Sequence, residues 1–188
     1  MDPYPNNAVQ GLTRDSNYIY AGTYRDAIWR RPLSDFGFEP PPPPCSMVVI
    51  NTNDSGAGSL RETISCAIAG STIIFHPSLL DQTITLTSGE IVIDKNLTIN
   101  GLGLNHLKIS GNNTSRIFHL LPTKNFVIQN LNLENANAAT NGGAIHNEGN
   151  LTLENILLKN NKQNGVLKSM TQSPGSVLKV IGNVQLKN

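Results

Sequence analysis

From Gly70 onward the chain is a succession of short apolar alternations parted by turn residues: STIIF, TITL, EIVI, LTIN, LKIS, RIFHL, FVIQN, LNLEN, GAIHN, LTLEN and ILLKN. Alternation with a period of two marks a strand with one face buried. The runs are also self-similar. LTING from Leu97 aligns with FVIQN from Phe126 and LTLEN from Leu151. LKISG from Leu107 aligns with LNLEN from Leu131 and ILLKN from Ile156. The offsets are about 24 to 29 residues, within the solenoid range.

The fifth column of these alignments holds Gly101, Asn130 and Asn155 in one set and Gly111, Asn135 and Asn160 in the other. Glycine and asparagine share a tolerance of positive φ, so the column predicts a left-handed corner at the end of each strand. Strand, corner, strand, corner, with a repeat near 25 residues, predicts a mainly β fold: a single-stranded parallel β-helix, expected right-handed. Asparagine at the corner also predicts a ladder of side-chain amides between turns. Inward positions are Leu97/Ile99, Leu107/Ile109, Phe126/Ile128, Leu131/Leu133, Leu151/Leu153 and Ile156/Leu158. An antiparallel sandwich would also use short strands, but it leaves the Gly/Asn column unexplained.

Ahead of this array, SLRETISCAIAG reads as a short capping helix. Ser59 and Glu62 have capping-box spacing. Leu60, Ile64, Ala67 and Ile68 share a face, and Gly70 is the expected stop. Such a helix would plug one end of the stack. Upstream, EPPPPPC is a polyproline spacer. Before it, NYIYAGTY and DAIWRRPL read as a β-hairpin around Arg25–Asp26, too small to bury a core of its own. The organisation expected is therefore 1–38 hairpin remnant, 39–45 linker, 46–165 β-helix, and 166–188 irregular or a final partial turn. At most four rows are expected, because the tail after Asn161 shows no matching corner column.

Composition narrows the function classes. Net charge is +1 and only 14% of residues are charged, so no concentrated basic face is available for nucleic acid or an anionic membrane. No apolar run approaches the roughly 20 residues of a membrane span, so direct membrane insertion is not expected. The start, MDPYPNNAVQ, lacks the basic and apolar regions of a signal peptide. Cys45 and Cys66 fit no metal-ligand spacing; they either pair, tying the linker to the helix, or leave Cys66 as a buried thiol.

Two resemblances follow from quoted motifs. IYAGTYRDAIWRRPLSDF resembles the terminal repeat of sialidase-like β-propellers of exported bacterial proteins, over about one blade. NTNDSGAGSLRETI, STIIFHPSL, ITLTSGEIVIDKNLTING and GGAIHNEGNLTLEN, spanning Val48 to Asn161, resemble the large group of bacterial surface β-helix proteins, of the polymorphic-outer-membrane-protein-like and choice-of-anchor kind. Leu102 stands where that group has proline, and His146 where it has tyrosine. The resemblance implies a right-handed parallel β-helix of pectin lyase-like fold in an exported or surface protein, of which this chain would be a piece. It carries over no catalytic residue.

No catalytic, cofactor-binding or metal site is assigned from the residues, and no cofactor is expected. Glycoside hydrolysis needs two carboxylates roughly 5 to 9.5 Å apart. The alignment sets Glu134 beside Lys159 and Glu154 beside Gln129, bringing no two acids into one column. A lyase would want clustered Asp with a basic residue, but Asp94-Lys95 and Arg116 look isolated. His119 and His146 fall in one column about 4.8 Å apart; two histidines begin a metal site, but no third ligand is evident. His76 and His106 lie in loop-like contexts. Sequon matches at Asn96, Asn112, Asn113 and Asn150 follow from composition, and Gly101-Leu-Gly103 lacks the rest of a dinucleotide fingerprint. The expected role is a non-catalytic stalk or adhesive module, meeting an extracellular glycan or protein. The rival is part of a carbohydrate-active enzyme.

Overall fold

The structure is a computed structural model and describes residues 9–15, 17–23, 28–36, 45–167 and 169–187. The chain divides into two units, Met1–Pro44 and Cys45–Asn188. The hairpin turn around Arg25–Asp26 and the prolines Pro40 to Pro44 lie outside the described residues.

In the first unit, Tyr18–Thr23 pairs antiparallel with Ile28–Pro32, the hairpin that alternation predicts. A third strand, Val9–Arg14, adds to the other edge and was not foreseen. Asp15 makes the connecting turn. Its Oδ1 accepts the backbone N–H groups of Asn17 and Tyr18 at 2.7 and 2.8 Å, and its Oδ2 accepts the Tyr20 hydroxyl at 2.7 Å. An Asp that bonds the amides just ahead of it supplies a tight turn without Gly or Pro. Leu12 and Ile28 remain exposed, as three short strands cannot cover both faces.

The second unit is a parallel β-helix of about five turns with three faces. The first face stacks Val48–Val49, Ser71–Phe75, Leu97–Asn100, Asn125–Glu134, Asn150–Lys159 and Val177–Lys187. The second stacks Thr83–Thr85 and Lys108–Ser110 under the later halves of the three long strands. The third stacks Ile91–Ile93, Phe118–Leu120, Ile145–Asn147 and Met170–Gln172. The pairing register is the one the repeat alignment gives: Leu97–Phe126–Leu151 on the first face, and Lys108–Asn132–Leu157 on the second. All twelve predicted inward residues are buried. Phe118 and Phe126 meet edge to face at 5.3 Å within this core.

Asn130, Asn135, Asn155 and Asn160 occupy the left-handed region, with φ between 50° and 53°. Their amides form the ladder: Asn155 Nδ2 donates to Asn130 Oδ1 at 3.2 Å, and Asn160 Nδ2 to Asn135 Oδ1 at 3.4 Å. The two glycines of the column differ from the prediction, since neither Gly101 nor Gly111 has positive φ. They are needed for close approach instead. A Cβ at 101 would lie 2.3 Å from the Asn130 carbonyl oxygen, and one at 111 would lie 2.4 Å from that of Ser115.

The tail corrects a second expectation. Met170–Gln172 pairs with the third face and Val177–Lys187 with the first and second, so the stack exceeds four rows. A corner is present after all: Gly182 takes φ 65° against Asn155. The register slips between Glu154 and Ile156, which inserts one extra residue on the upper strand. That bulge hides the corner from an alignment of fixed offsets.

The helix runs Leu60–Cys66, shorter than predicted. Ser59 Oγ accepts the Glu62 N–H at 3.2 Å, as the capping motif requires. Ala67 is already extended, so Ile68 leaves the buried face and is 78% exposed. Gly70, at φ 88°, turns the chain into the Ser71–Phe75 strand instead of stopping the helix. Lys95 closes the helix end: its Nζ donates to the carbonyls of Ile64, Ser65 and Ala67 at 3.4, 3.0 and 3.3 Å. Cys45 and Cys66 are joined in a disulfide. Among the described residues, no helix is long and apolar enough to cross a membrane.

Candidate functional site

Two polar assemblies stand out on this scaffold, and they meet at Glu90. The first joins the loop Asn53–Gly58 to the turn before the Ile91–Ile93 strand. The Arg61 guanidinium donates to Asp54 Oδ1 at 3.0 Å, to the Glu90 carbonyl at 2.9 Å and to the Gly89 carbonyl at 2.7 Å. Asp54 Oδ2 accepts from Ser88 N–H at 2.8 Å, from Thr87 Oγ1 at 3.2 Å and from the Ser88 hydroxyl. Burial works against ionisation of Asp54, but the bonds from Ser88 and Arg61 outweigh it and bring the carboxyl down to about 2. The NDSGAGSLRE and TSGE motifs are thus two halves of one clasp that seats the helix on the stack.

The second assembly lies on the third face. His119 and His146 are register partners on adjacent turns, and their rings stack at 4.8 Å with planes 17° apart. This is the column the sequence predicts. What it did not predict is the setting. His119 Nε2 lies 2.8 Å from Glu148 Oε2, with the imidazole N–H donating to the carboxylate. His119 Nδ1 faces Glu90 Oε1 at 3.5 Å. Arg116 Nε donates to Glu90 Oε2 at 2.7 Å, and Arg116 Nη1 to the Asn141 carbonyl at 2.6 Å. His146 Nε2 lies 3.2 Å from Ser173 Oγ.

The electrostatics follow from these neighbours. The hydrogen bond from His119 holds Glu148 below the ordinary carboxylate range, despite a smaller opposing effect of burial. Burial, reinforced by the nearby Arg116 guanidinium and the His119 imidazole, lowers His146 and favours its neutral form.

Three expectations change here. Arg116 is not isolated, because it anchors Glu90. Two acids do converge: Glu90 and Glu148 approach opposite nitrogens of one imidazole, from different turns. A third ligand-type group beside the histidines does exist, since Glu148 places a carboxylate within 4.8 Å of donor atoms of both rings. Glu148 was not read from the sequence, because it lies one residue past the Ile145–Asn147 strand, in a bend where alternation does not apply. Nor was Glu90, because it sits in a turn just outside the aligned strands. Glu134 pairs with Lys159 and Glu154 with Gln129, as aligned. The other histidines sit apart: His76 Nδ1 bonds Ser78, and His106 Nδ1 lies 3.0 Å from Asp81.

No family model, curated protein or solved structure matches the chain. Its parallel β-helix is established by the pairing described above.

Proposed function

We propose that this chain is a non-catalytic structural or adhesive β-helix module of an exported or cell-surface protein, meeting an extracellular glycan or protein through its polar outer faces. The observation that carries the reading is the Cys45–Cys66 disulfide, since such bonds persist in oxidising compartments. The outer corners add a second support. Asn125 N–H and Asn150 Nδ2 donate to Asn96 Oδ1 and Asn125 Oδ1, each at 2.9 Å, which lines up exposed side-chain amides whose donors and acceptors match those of sugar hydroxyls. The motif resemblance to bacterial surface β-helix proteins points the same way.

A second reading, part of a carbohydrate-active enzyme, draws on the convergence of Glu90 and Glu148 at His119. Its chemistry is poorly served. A general acid must carry a proton at working pH, whereas Glu148 is pushed toward ionisation and Glu90 is bonded to Arg116. Incubation with a panel of neutral and acidic polysaccharides separates the two. Retention on an immobilised glycan with no new reducing or unsaturated ends supports the module. Release of such ends defeats it in favour of the enzyme.

A further inference from the structure

We propose that His119, His146 and Glu148 form a binding site for a divalent transition-metal cation, with Zn²⁺ the best match to the donors. One ligand atom from each of the three residues lies within 4.8 Å of the others. Two imidazoles and one carboxylate suit a borderline cation such as Zn²⁺ better than Ca²⁺ or Mg²⁺, which prefer all-oxygen shells. Three protein ligands leave a fourth position open to water or to a donor group from a partner.

The surroundings are those of a supported site. A metal-bound histidine commonly donates its other ring N–H to a carboxylate, which fixes the ring and strengthens the ligand. With Nε2 of His119 toward the metal, Nδ1 is left facing Glu90 at 3.5 Å, and Arg116 locks Glu90 from behind at 2.7 Å. The Arg116 side chain is only 10% exposed and is tied again to the Asn141 carbonyl. Two carboxylates against one guanidinium leave the cluster net negative while the imidazoles are neutral, which attracts a cation. His119 and Glu148 keep 22% and 28% of their side-chain surface open, enough for an ion to enter.

The required adjustment is small. Zn–N and Zn–O bonds of about 2.0–2.2 Å place tetrahedral ligand atoms roughly 3.4 Å apart, so the stacked rings must tilt about their Cβ–Cγ bonds toward a common point. The His119–Glu148 hydrogen bond would be exchanged for two metal bonds. A bound ion would join the Phe118–Leu120 and Ile145–Asn147 strands through their side chains, beyond the backbone pairing that already links them.

The test is isothermal titration of the full chain with ZnCl₂ at neutral pH after dialysis against a chelator. The expected result is one Zn²⁺ per chain with a dissociation constant on the order of 10 μM or tighter, and no comparable heat from CaCl₂ or MgCl₂. His119→Ala, His146→Ala and Glu148→Gln should each weaken binding by about tenfold or more, and Glu90→Gln by roughly tenfold through loss of support. His76→Ala and His106→Ala should leave it unchanged. A measurement free of substitutions guards against variants that misfold: in the unaltered protein, Zn²⁺ should shift the ring ¹⁵N resonances of His119 and His146 and spare those of His76 and His106. Absence of uptake overturns the proposal. So does uptake that moves only His76 or His106, or that survives undiminished in a folded His146→Ala chain. Metal uptake and glycan retention are read separately, so failure of one leaves the other standing.

Discussion

Asn155 donates its side-chain amide to Asn130 Oδ1 one turn below, at 3.2 Å, and Asn130 donates in turn to Asn100 Oδ1 at 2.9 Å. The two corner residues hold φ of 50° and 53°. Asparagine therefore does two separable jobs there: it tolerates the left-handed backbone, and it links successive turns. Asn130→Gly keeps the first and loses the second, whereas Asn130→Ala loses both. Urea unfolding should show glycine destabilising by about 1 kcal/mol and alanine by roughly 2–3 kcal/mol. Equal losses would mean that only one of the two matters.

Gly101 makes the opposite case. Its backbone is not left-handed, but a Cβ would sit 2.3 Å from the Asn130 carbonyl oxygen. Gly101→Ala should therefore lower stability by about 1–3 kcal/mol through overpacking. Gly101→Asn should be no better tolerated, although asparagine fills the equivalent corner one turn above. A Gly101→Asn chain as stable as the parent in urea would contradict the steric account.

The disulfide closes a loop between Cys45 and Cys66, a sequence separation of 21. Loss of that constraint on the unfolded chain should lower stability by about 3 kcal/mol. The comparison is denaturant unfolding of the oxidised chain against a Cys45→Ala/Cys66→Ala double variant, followed by far-ultraviolet circular dichroism. The midpoint should shift while the native spectrum stays that of a β-helix.

Asp54 sets an acid limit on the clasp. Its carboxyl is lowered to about 2 in the folded chain from an ordinary 3.8. A depressed carboxylate contributes its full stabilisation above the unfolded value, near pH 4, and loses it as pH falls through about 2. That contribution is on the order of 2 kcal/mol. Thermal melts of the parent and Asp54→Asn chains should differ at pH 5 to 7, converge between pH 4 and 2, and coincide below. A gap that persists at pH 1.5 would show that Asp54 acts through packing instead of charge.

Alternation and the Gly/Asn column were enough to place most of the strands between Ser71 and Lys159, their inward residues and their stacking partners, because each depends on near neighbours and a fixed repeat. The imidazole stack was legible for the same reason, as both histidines occupy equivalent strand positions. Ile68 was misassigned because helical spacing alone does not reveal where Lys95, 27 positions after it in sequence, ends the helix. The upper corner was missed because a bulge at Gly182 breaks the count. Glu90 and Arg116 were missed because their pairing joins two irregular connections, where no periodicity guides alignment. Irregular connections are where local pattern carries least information and where functional groups gather.

Glu90 belongs to both assemblies at once. Its main-chain carbonyl is gripped by Arg61 from the end helix, while its carboxylate is held by Arg116 beside His119. One residue thus works as a rivet through two plates, setting how far the plugged end of the solenoid stands from the imidazole pair. A tug on either is transmitted to the other through a single Cα.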